Sequence, residues 1–200
     1  TTVDEPEYVK NIVRPIAALE GDKLPVSAFS PDGVVPTGTT KYEKRGIGVT
    51  VPVWDKEKCI QCNQCAFVCP HAAIRPYLAT PEDLADAPET FVTKAAIGKD
   101  FAGLQYRIQV SPLDCTACSN CVDVCLAKEK ALIMKPLEEV AEEEAANFEF
   151  AEKLPEIDRD FNTSTIKGSQ FIKPLFEFSG ACAGCGETPY IKLITQLFGE

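Results

Sequence analysis

The sequence predicts an α+β fold made of two similar halves, and three observations support this prediction. The chain has ten cysteines, and eight of them fall in two groups of four, Cys59/Cys62/Cys65/Cys69 and Cys115/Cys118/Cys121/Cys125. Residue 115 follows residue 59 by 56 positions, and the same offset relates 118 to 62, 121 to 65 and 125 to 69. Apolar segments with strand-like patterns flank each group. The chain therefore contains an internal repeat of a cysteine-bearing unit.

Each half of the repeat is predicted to form a strand, a cysteine loop, a short helix and a second strand. Strands are expected at about 49–54 and 73–78 in the first half, and at 104–110 and 131–137 in the second. Two such halves, related by a pseudo-twofold axis, give a ferredoxin-like α+β domain. We expect this domain to occupy residues 51–137.

The cysteine spacing indicates two 4Fe–4S clusters. Three cysteines at two-residue intervals wrap three irons of a cubane, and in the bacterial pattern the fourth cysteine of each run ligates the other cluster. Structural zinc is the main alternative, but zinc sites use two Cys-x-x-Cys pairs separated by a spacer. The spacing therefore favours iron–sulfur. Carrying over the bacterial pattern assigns Cys59, Cys62, Cys65 and Cys125 to cluster one, and Cys115, Cys118, Cys121 and Cys69 to cluster two.

Two further segments are predicted around the cysteine motifs. The stretch from about 79 to 103 is an insertion between them, with a helix expected to begin at Thr80-Pro81 because Pro suits the first helical turn. Three roles are open for this insertion: it decorates the surface, it shields the clusters from solvent, or it docks a partner. Residues 138–146 are rich in Glu and Ala, which predicts a solvated helix within an acidic linker at 138–165.

A third cysteine pair, Cys182 and Cys185, lies in a glycine-rich loop. Thr188 is a candidate N-cap and Pro189 a candidate first residue of a following helix, and a helix N-terminus favours anions. Alone, this Cys-x-x-Cys pair is compatible with a redox dithiol, half of a zinc site or half of a cluster site. Two thiolates cannot hold a cubane, so the other ligands would lie outside this chain. The single histidine, His71, is expected at a helix end or on the surface rather than bonded to a cluster.

Composition excludes some classes of function. The net charge of −10 argues against nucleic acid and against an anionic membrane surface, because both require a basic footprint. The N-terminal residues have neither a basic start nor an apolar run, so we expect no export signal and a cytoplasmic protein. The missing initiator Met indicates either a section of a longer polypeptide or a processed chain.

Three blocks of the sequence resemble pyruvate:ferredoxin (flavodoxin) oxidoreductase. The first comprises 8–11, 21–29 and 36–46, and it includes Glu43-Lys44-Arg45, a signature that precedes the ferredoxin domain in that family. The others are Cys59 to His71 and Ser179 to Tyr190. The resemblance implies a connector at 1–50 and, at 166–200, the start of an α/β thiamine-diphosphate-binding domain.

The resemblance also implies a function. Members of the family oxidise pyruvate with coenzyme A to acetyl-CoA and CO2, using thiamine diphosphate with Mg²⁺, and pass electrons to ferredoxin or flavodoxin. It implies that Cys182 and Cys185 are two ligands of a third, proximal 4Fe–4S cluster, that Glu187 contacts thiamine diphosphate, and that the enzyme is a homodimer. No catalytic residue is expected in this section. The alternative from another class is a self-contained two-cluster electron carrier.

Overall fold

The structure, a computed structural model, describes residues 5–157 and 160–199 and divides into two units between residues 44 and 45. In the first unit a π-helical turn, Val9–Val13, continues into α1, Arg14–Ala17. Short 3-10 turns follow at Gly21–Lys23, Val26–Ala28 and Thr40–Tyr42. This unit therefore consists mostly of turns and irregular chain.

The second unit contains the predicted repeat, with a strand, a loop, one helical turn and a strand in each half. The elements of the first half are β1 Thr50–Trp54, α2 Gln64–Phe67 and β2 Ile74–Ala79. The corresponding elements of the second half are β4 Gln105–Val110, α3 Asn120–Asp123 and β5 Leu132–Pro136. A mixed helix and strand fold is thus confirmed, and the strands lie within two residues of their expected bounds.

The two halves are interlocked through their strand pairing. Strand β1 pairs antiparallel with β5 from the other half, and Thr50 lies opposite Pro136. Strand β2 pairs antiparallel with β4, with Ile74 opposite Val110. The first and last strands of the repeat therefore form one ladder and the two inner strands form another, so neither half is complete without its counterpart.

Strand β4 is buried on both faces, and its side chains alternate between two environments, as the pleat requires. Tyr106, Ile108 and Val110 belong to the main apolar core beside the cysteine loops. On the other face, Gln109 donates a hydrogen bond to Glu144 of α4, Leu137–Ala151. The ladder thus separates the cysteine loops from a covering helix.

Helix α4 is present where the acidic stretch predicted a helix, but it is not solvated all round. Glu144, Asn147, Phe148 and Ala151 are buried against the sheet. Burial raises the pKa of the Glu144 carboxyl, although the hydrogen bond from Gln109 opposes this shift. The prediction of a solvated helix is therefore wrong for one face of α4. Asn147, Phe148 and Ala151 follow Glu144 at helical spacing and place this face against the sheet.

The helix predicted in the insertion is absent, and a turn takes its place. The backbone N–H of Asp83 donates to Thr80 Oγ1 at 3.2 Å, and the N–H of Thr80 donates to Asp83 Oδ2 at 2.8 Å. These bonds close one turn, but Pro88 disfavours helical backbone in the residue before it. The insertion continues as β3, Lys94–Ala95, which pairs with β4, and as a 3-10 turn, Lys99–Phe101.

The C-terminal part of the described chain contains two more helices. Helix α5, Ile166–Ser169, is capped by Thr165, whose hydroxyl accepts the N–H of Gly168 at 3.0 Å. Helix α6 spans Thr188–Phe198, so Thr188 is its first helical residue and Glu187 occupies the N-cap position predicted for Thr188. None of the helices within the described ranges combines the length and apolar character needed to cross a bilayer.

Candidate metal centres

Two cavities lie between the cysteine loops and the core face of the sheet, and four cysteines line each of them. Cys59, Cys62, Cys65 and Cys125 line the first cavity. Cys69, Cys115, Cys118 and Cys121 line the second. The last cysteine of each run thus crosses to the cavity of the other run. The eight thiols surround two spaces, and in the described part of the chain no three potential ligands converge at single-ion distances.

The cysteine loops share an unusual backbone conformation that repeats with the same offset as the cysteines. Gln61 and Asn63 have φ of 58° and 60°, and their counterparts Ala117 and Ser119 have 57° and 63°. Alternation of right- and left-handed residues turns successive N–H groups toward one concave side, which suits a bound anion. In the first loop the Gln61 N–H lies 3.4 Å from Cys59 Sγ. The loops are therefore shaped to hold a negatively charged group.

Two buried amide side chains hold the first loop in this conformation, and the sequence reasoning missed both. Gln61 donates to the carbonyl of Ala95 at 2.8 Å, and its Oε1 accepts the N–H of Ile97 at 2.7 Å. Asn63 Oδ1 accepts the hydroxyl of Tyr106 at 2.7 Å. The insertion is thus anchored on the loop of the first cavity, a role for which local sequence carried no signal.

The thiols lie where ionisation is costly without a metal. Burial raises the pKa of Cys115 to about 12, and it raises the pKa of Cys65 and Cys121 well above the ordinary thiol value. Metal ligation requires thiolates, and cationic iron offsets the desolvation that opposes them. The donor set is four thiols around each cavity, and in the first cavity the N–H groups of Gln61 and Ala131 donate to the sulfurs of Cys59 and Cys125. This set fits a cubane cluster.

The third cysteine pair lies beside the second cavity. A Cβ built on Gly184, between Cys182 and Cys185, would lie 3.6 Å from Cys118 Cβ. Cys182 is exposed, and Cys185 is partly buried. Backbone N–H groups of Thr188 and Glu187, at the start of α6, lower the pKa of Cys185. The structure thus brings a thiolate-stabilising loop next to the cysteines of the second group.

His71 connects the same two regions, and its expected surface position is wrong. The side chain is only 2% exposed and lines the second cavity. Its Nδ1 lies 3.1 Å from the carbonyl oxygen of Ser179 and 3.4 Å from the hydroxyl oxygen of the same residue. Its backbone carbonyl accepts the N–H of Phe178 at 2.8 Å. Chain 178–182 covers the ring, and sequence proximity to Cys69 did not reveal this long-range contact.

Glu187 is exposed at the N-cap of α6. The predicted contact between its carboxyl and thiamine diphosphate stays a prediction.

Gly48 is required where the chain just before β1 passes close to the second cysteine loop. A Cβ at this position would lie 2.6 Å from the carbonyl oxygen of Cys115 and 3.3 Å from the N–H nitrogen of Ala117. We expect Gly48→Ala to displace this loop and to lower the free energy of unfolding by ~1–3 kcal/mol. Thermal unfolding and iron content of the intact protein measure the effect.

Gly21→Ala is the control for Gly48→Ala, because its Cβ would make only ordinary contacts with Ile16, at 3.5 Å from Cγ1 and 4.0 Å from Cα. Native stability and iron content in Gly48→Ala would contradict the proposed packing of the loop.

Comparison with known families identifies two domains in this chain. Residues 1–48 match a domain of unknown function called EKR. Residues 51–126 match the 4Fe-4S dicluster domain, which includes both cysteine groups. The dicluster match agrees with the crossed arrangement of eight thiols around two cavities.

Curated relatives match along essentially the entire chain. Identity is 70% over 200 residues with pyruvate:ferredoxin oxidoreductase of Moorella thermoacetica, covering 100% of this chain and 17% of that protein. It is 55% with pyruvate-flavodoxin oxidoreductase of Enterobacter agglomerans, covering 98% and 16%. It is 52% with pyruvate dehydrogenase [NADP(+)] of Cryptosporidium parvum, covering 98% and 10%. The chain thus spans about one-sixth or less of these relatives, and it belongs to the pyruvate:ferredoxin and pyruvate-flavodoxin oxidoreductase family, of which it carries a 4Fe–4S dicluster domain.

Proposed function

We propose that residues 51–137 are the electron-relay domain of a pyruvate oxidoreductase and hold two 4Fe–4S clusters. Cluster one takes Cys59, Cys62, Cys65 and Cys125, and cluster two takes Cys69, Cys115, Cys118 and Cys121. The observation that carries this proposal is the separation of eight thiols into two sets of four, each around its own cavity. Each cluster would accept one electron at a time.

Cys182 and Cys185 are proposed as two ligands of a third, proximal cluster, completed by residues of other parts of the protein. Their loop packs on Cys118 of the second cavity, and His71 bonds to the same stretch through Ser179. This order of thiol groups suggests that electrons enter beside the Cys182 loop and leave near the Cys59 loop. Short distances between adjacent groups would support fast transfer.

In the whole protein, the proposed reaction is the oxidation of pyruvate with coenzyme A to acetyl-CoA, CO2, one proton and two electrons. Thiamine diphosphate, bound with Mg²⁺, would stabilise the carbanion formed on decarboxylation. Glu187 is the residue of this chain proposed to contact it. The names and high identity of the relatives support the reaction and support ferredoxin or flavodoxin as acceptor. A cytoplasmic homodimer is part of the proposal through the family resemblance alone.

The domain boundaries belong to the same proposal. Residues 1–50 would connect a preceding domain to the relay, 138–165 would link the relay onward, and 166–200 would begin the thiamine-diphosphate domain. The EKR match over 1–48 and the start of a helix at Thr188 after a glycine-rich loop support this division.

The surface beside cluster one suits an acidic electron carrier. The segments 56–60 and 126–130, next to Cys59 and Cys125, together contain four lysines and two glutamates, in a chain of net charge −10. Ile60 and Leu126 expose 50% and 64% of their surface between these charges. Basic groups around an exposed apolar centre would steer and seat a small acidic protein such as ferredoxin or flavodoxin.

Charge reversal of this surface is expected to weaken the acceptor reaction. Lys56→Glu/Lys128→Glu should raise the KM for the oxidised carrier about tenfold at low salt, because the attraction between this surface and the acidic carrier becomes repulsion. Steady-state kinetics with ferredoxin and flavodoxin over a range of ionic strength measure this effect. Viologen reduction is the internal reference, since a small dye needs no docking surface.

Lys153→Glu, at the exposed end of α4 behind the sheet, is the matched control for charge. An unchanged KM in the double variant would show that the carrier docks elsewhere.

The function is tested by the intact, full-length protein purified without air. Pyruvate together with coenzyme A should bleach the visible absorption of the clusters, whereas either compound alone should give less reduction. A polypeptide mass several times the 21.8 kDa of this chain is also expected. A mass near that of this chain, with no pyruvate-dependent bleaching, would replace the proposal by the stand-alone carrier.

A further inference from the structure

Lys192 is a buried cation that the relay function does not account for. It lies on α6, outside the dicluster domain match, and is only 2% exposed. Its Nζ donates hydrogen bonds to the backbone carbonyls of Ala66, Phe67 and Cys69, the latter two at 3.1 and 3.3 Å. An ammonium has three donors, so these three acceptors satisfy it completely.

The carbonyls that bind Lys192 lie between the two cysteine sets. Helix α2, Gln64–Phe67, carries Cys65, which lines the first cavity, and Cys69 follows two residues after the helix and lines the second. The ammonium is therefore held against the short segment that links the two cavities. Its hydrogen-bond partners in the described part of the chain are all neutral carbonyls.

The charge of Lys192 is poorly shielded from the cavities. Its ammonium is hydrogen-bonded to the backbone of Cys69 itself and to the helix that carries Cys65. Arg75, a second buried cation, is paired with Glu152 and Glu177. A charge out of water acts on its neighbours through a low dielectric, so its effect on a nearby redox group is larger than that of a surface lysine.

We propose that Lys192 raises the reduction potentials of both clusters by fixing a positive charge between them. Reduction adds one negative charge to a cluster, and a buried cation beside the cysteine ligands stabilises that state more than the oxidised one. The inference rests on the proposed binding of two clusters. It assigns to α6, and so to the proposed thiamine-diphosphate domain, a direct part in setting the driving force of the relay.

The test compares two variants of the intact protein that differ in charge. Lys192→Gln keeps a donor for the carbonyls and loses the charge, whereas Lys192→Arg keeps both. Anaerobic potentiometric titration followed by electron paramagnetic resonance gives the midpoint potential of each cluster. Lys192→Gln should shift the one-electron reduction equilibrium at least tenfold toward the oxidised form, about 59 mV. Lys192→Arg should shift it less than threefold.

Lys153→Gln, exposed in the turn after α4, is the control for removal of a lysine charge elsewhere and should leave both potentials unchanged. Equal shifts in the Gln and Arg variants, or native potentials in the Gln variant, would overturn the proposal. Loss of a cluster from the Gln variant would also overturn it, because Lys192 would then serve assembly. Absence of two cluster signals from the unmodified protein would instead contradict the proposed function itself.

Discussion

Cys59→Ala is expected to remove cluster one and to stop electron transfer to the protein carrier. Alanine has no ligating atom, and the remaining thiols around the first cavity are Cys62, Cys65 and Cys125. Cluster one lies at the basic surface proposed for docking, so its loss should reduce ferredoxin or flavodoxin reduction at least about 100-fold, the order expected when a transfer geometry is lost. One round of pyruvate decarboxylation per active site should still occur, because that step needs no electron acceptor and the proposed thiamine-diphosphate site lies outside residues 51–137.

The readouts for Cys59→Ala are iron content, carrier reduction and release of CO2 from labelled pyruvate. Ile60→Ala, at the adjacent exposed position, is the control for iron content alone, because Ile60 belongs to the proposed docking surface. Normal carrier reduction in Cys59→Ala would mean that cluster one is not on the exit path.

Cys182→Ala is expected to produce the converse defect at the entry side of the relay. Clusters one and two take no ligand from the Cys182 loop, so both should assemble. Dithionite should reduce them, whereas pyruvate with coenzyme A should not, because the proximal cluster would be missing. We expect pyruvate-dependent carrier reduction to fall at least about 100-fold, again as a loss of transfer geometry.

Rapid-freeze spectroscopy of Cys182→Ala, after addition of dithionite or of pyruvate with coenzyme A, distinguishes a block in electron entry from a block in electron exit. The neighbouring exposed Ala183→Ser is the control, since it adds one hydroxyl without removing a thiol. Pyruvate-driven reduction of both clusters at the native rate in Cys182→Ala would exclude Cys182 from the path.

The repeat could be predicted from sequence because its determinants are local and periodic. The cysteine offset of 56 positions reports the internal symmetry directly, and the same offset relates the left-handed residues Gln61 and Ala117. The alternation of polar and apolar residues along β4 indicates a strand whose two faces lie in different surroundings. The acidic run before Phe148 marked a helix, although the buried face of α4 depends on Gln109 and became visible only in the fold.

The features that the sequence did not predict depend on contacts between residues that are far apart in the chain. Thr80-Pro81 has the local form of a helix start, but pairing of β3 with β4 and anchoring by Gln61 hold the insertion as a turn and a strand. The burial of His71 and Lys192 depends on residues 178–196, which pack on the cysteine loops from more than a hundred positions away. No local pattern encodes such contacts.

The central claim is that the fourth cysteine of each run serves the cluster of the other run. The most direct measurement is the electron paramagnetic resonance spectrum and iron content of reduced Cys125→Ala and Cys69→Ala, compared with Cys59→Ala and Cys115→Ala. The account predicts that Cys125→Ala loses the same cluster signal as Cys59→Ala, and that Cys69→Ala loses the same signal as Cys115→Ala. If Cys125→Ala instead lost the signal that Cys115→Ala loses, each run would hold its own cluster and the crossed assignment would be wrong.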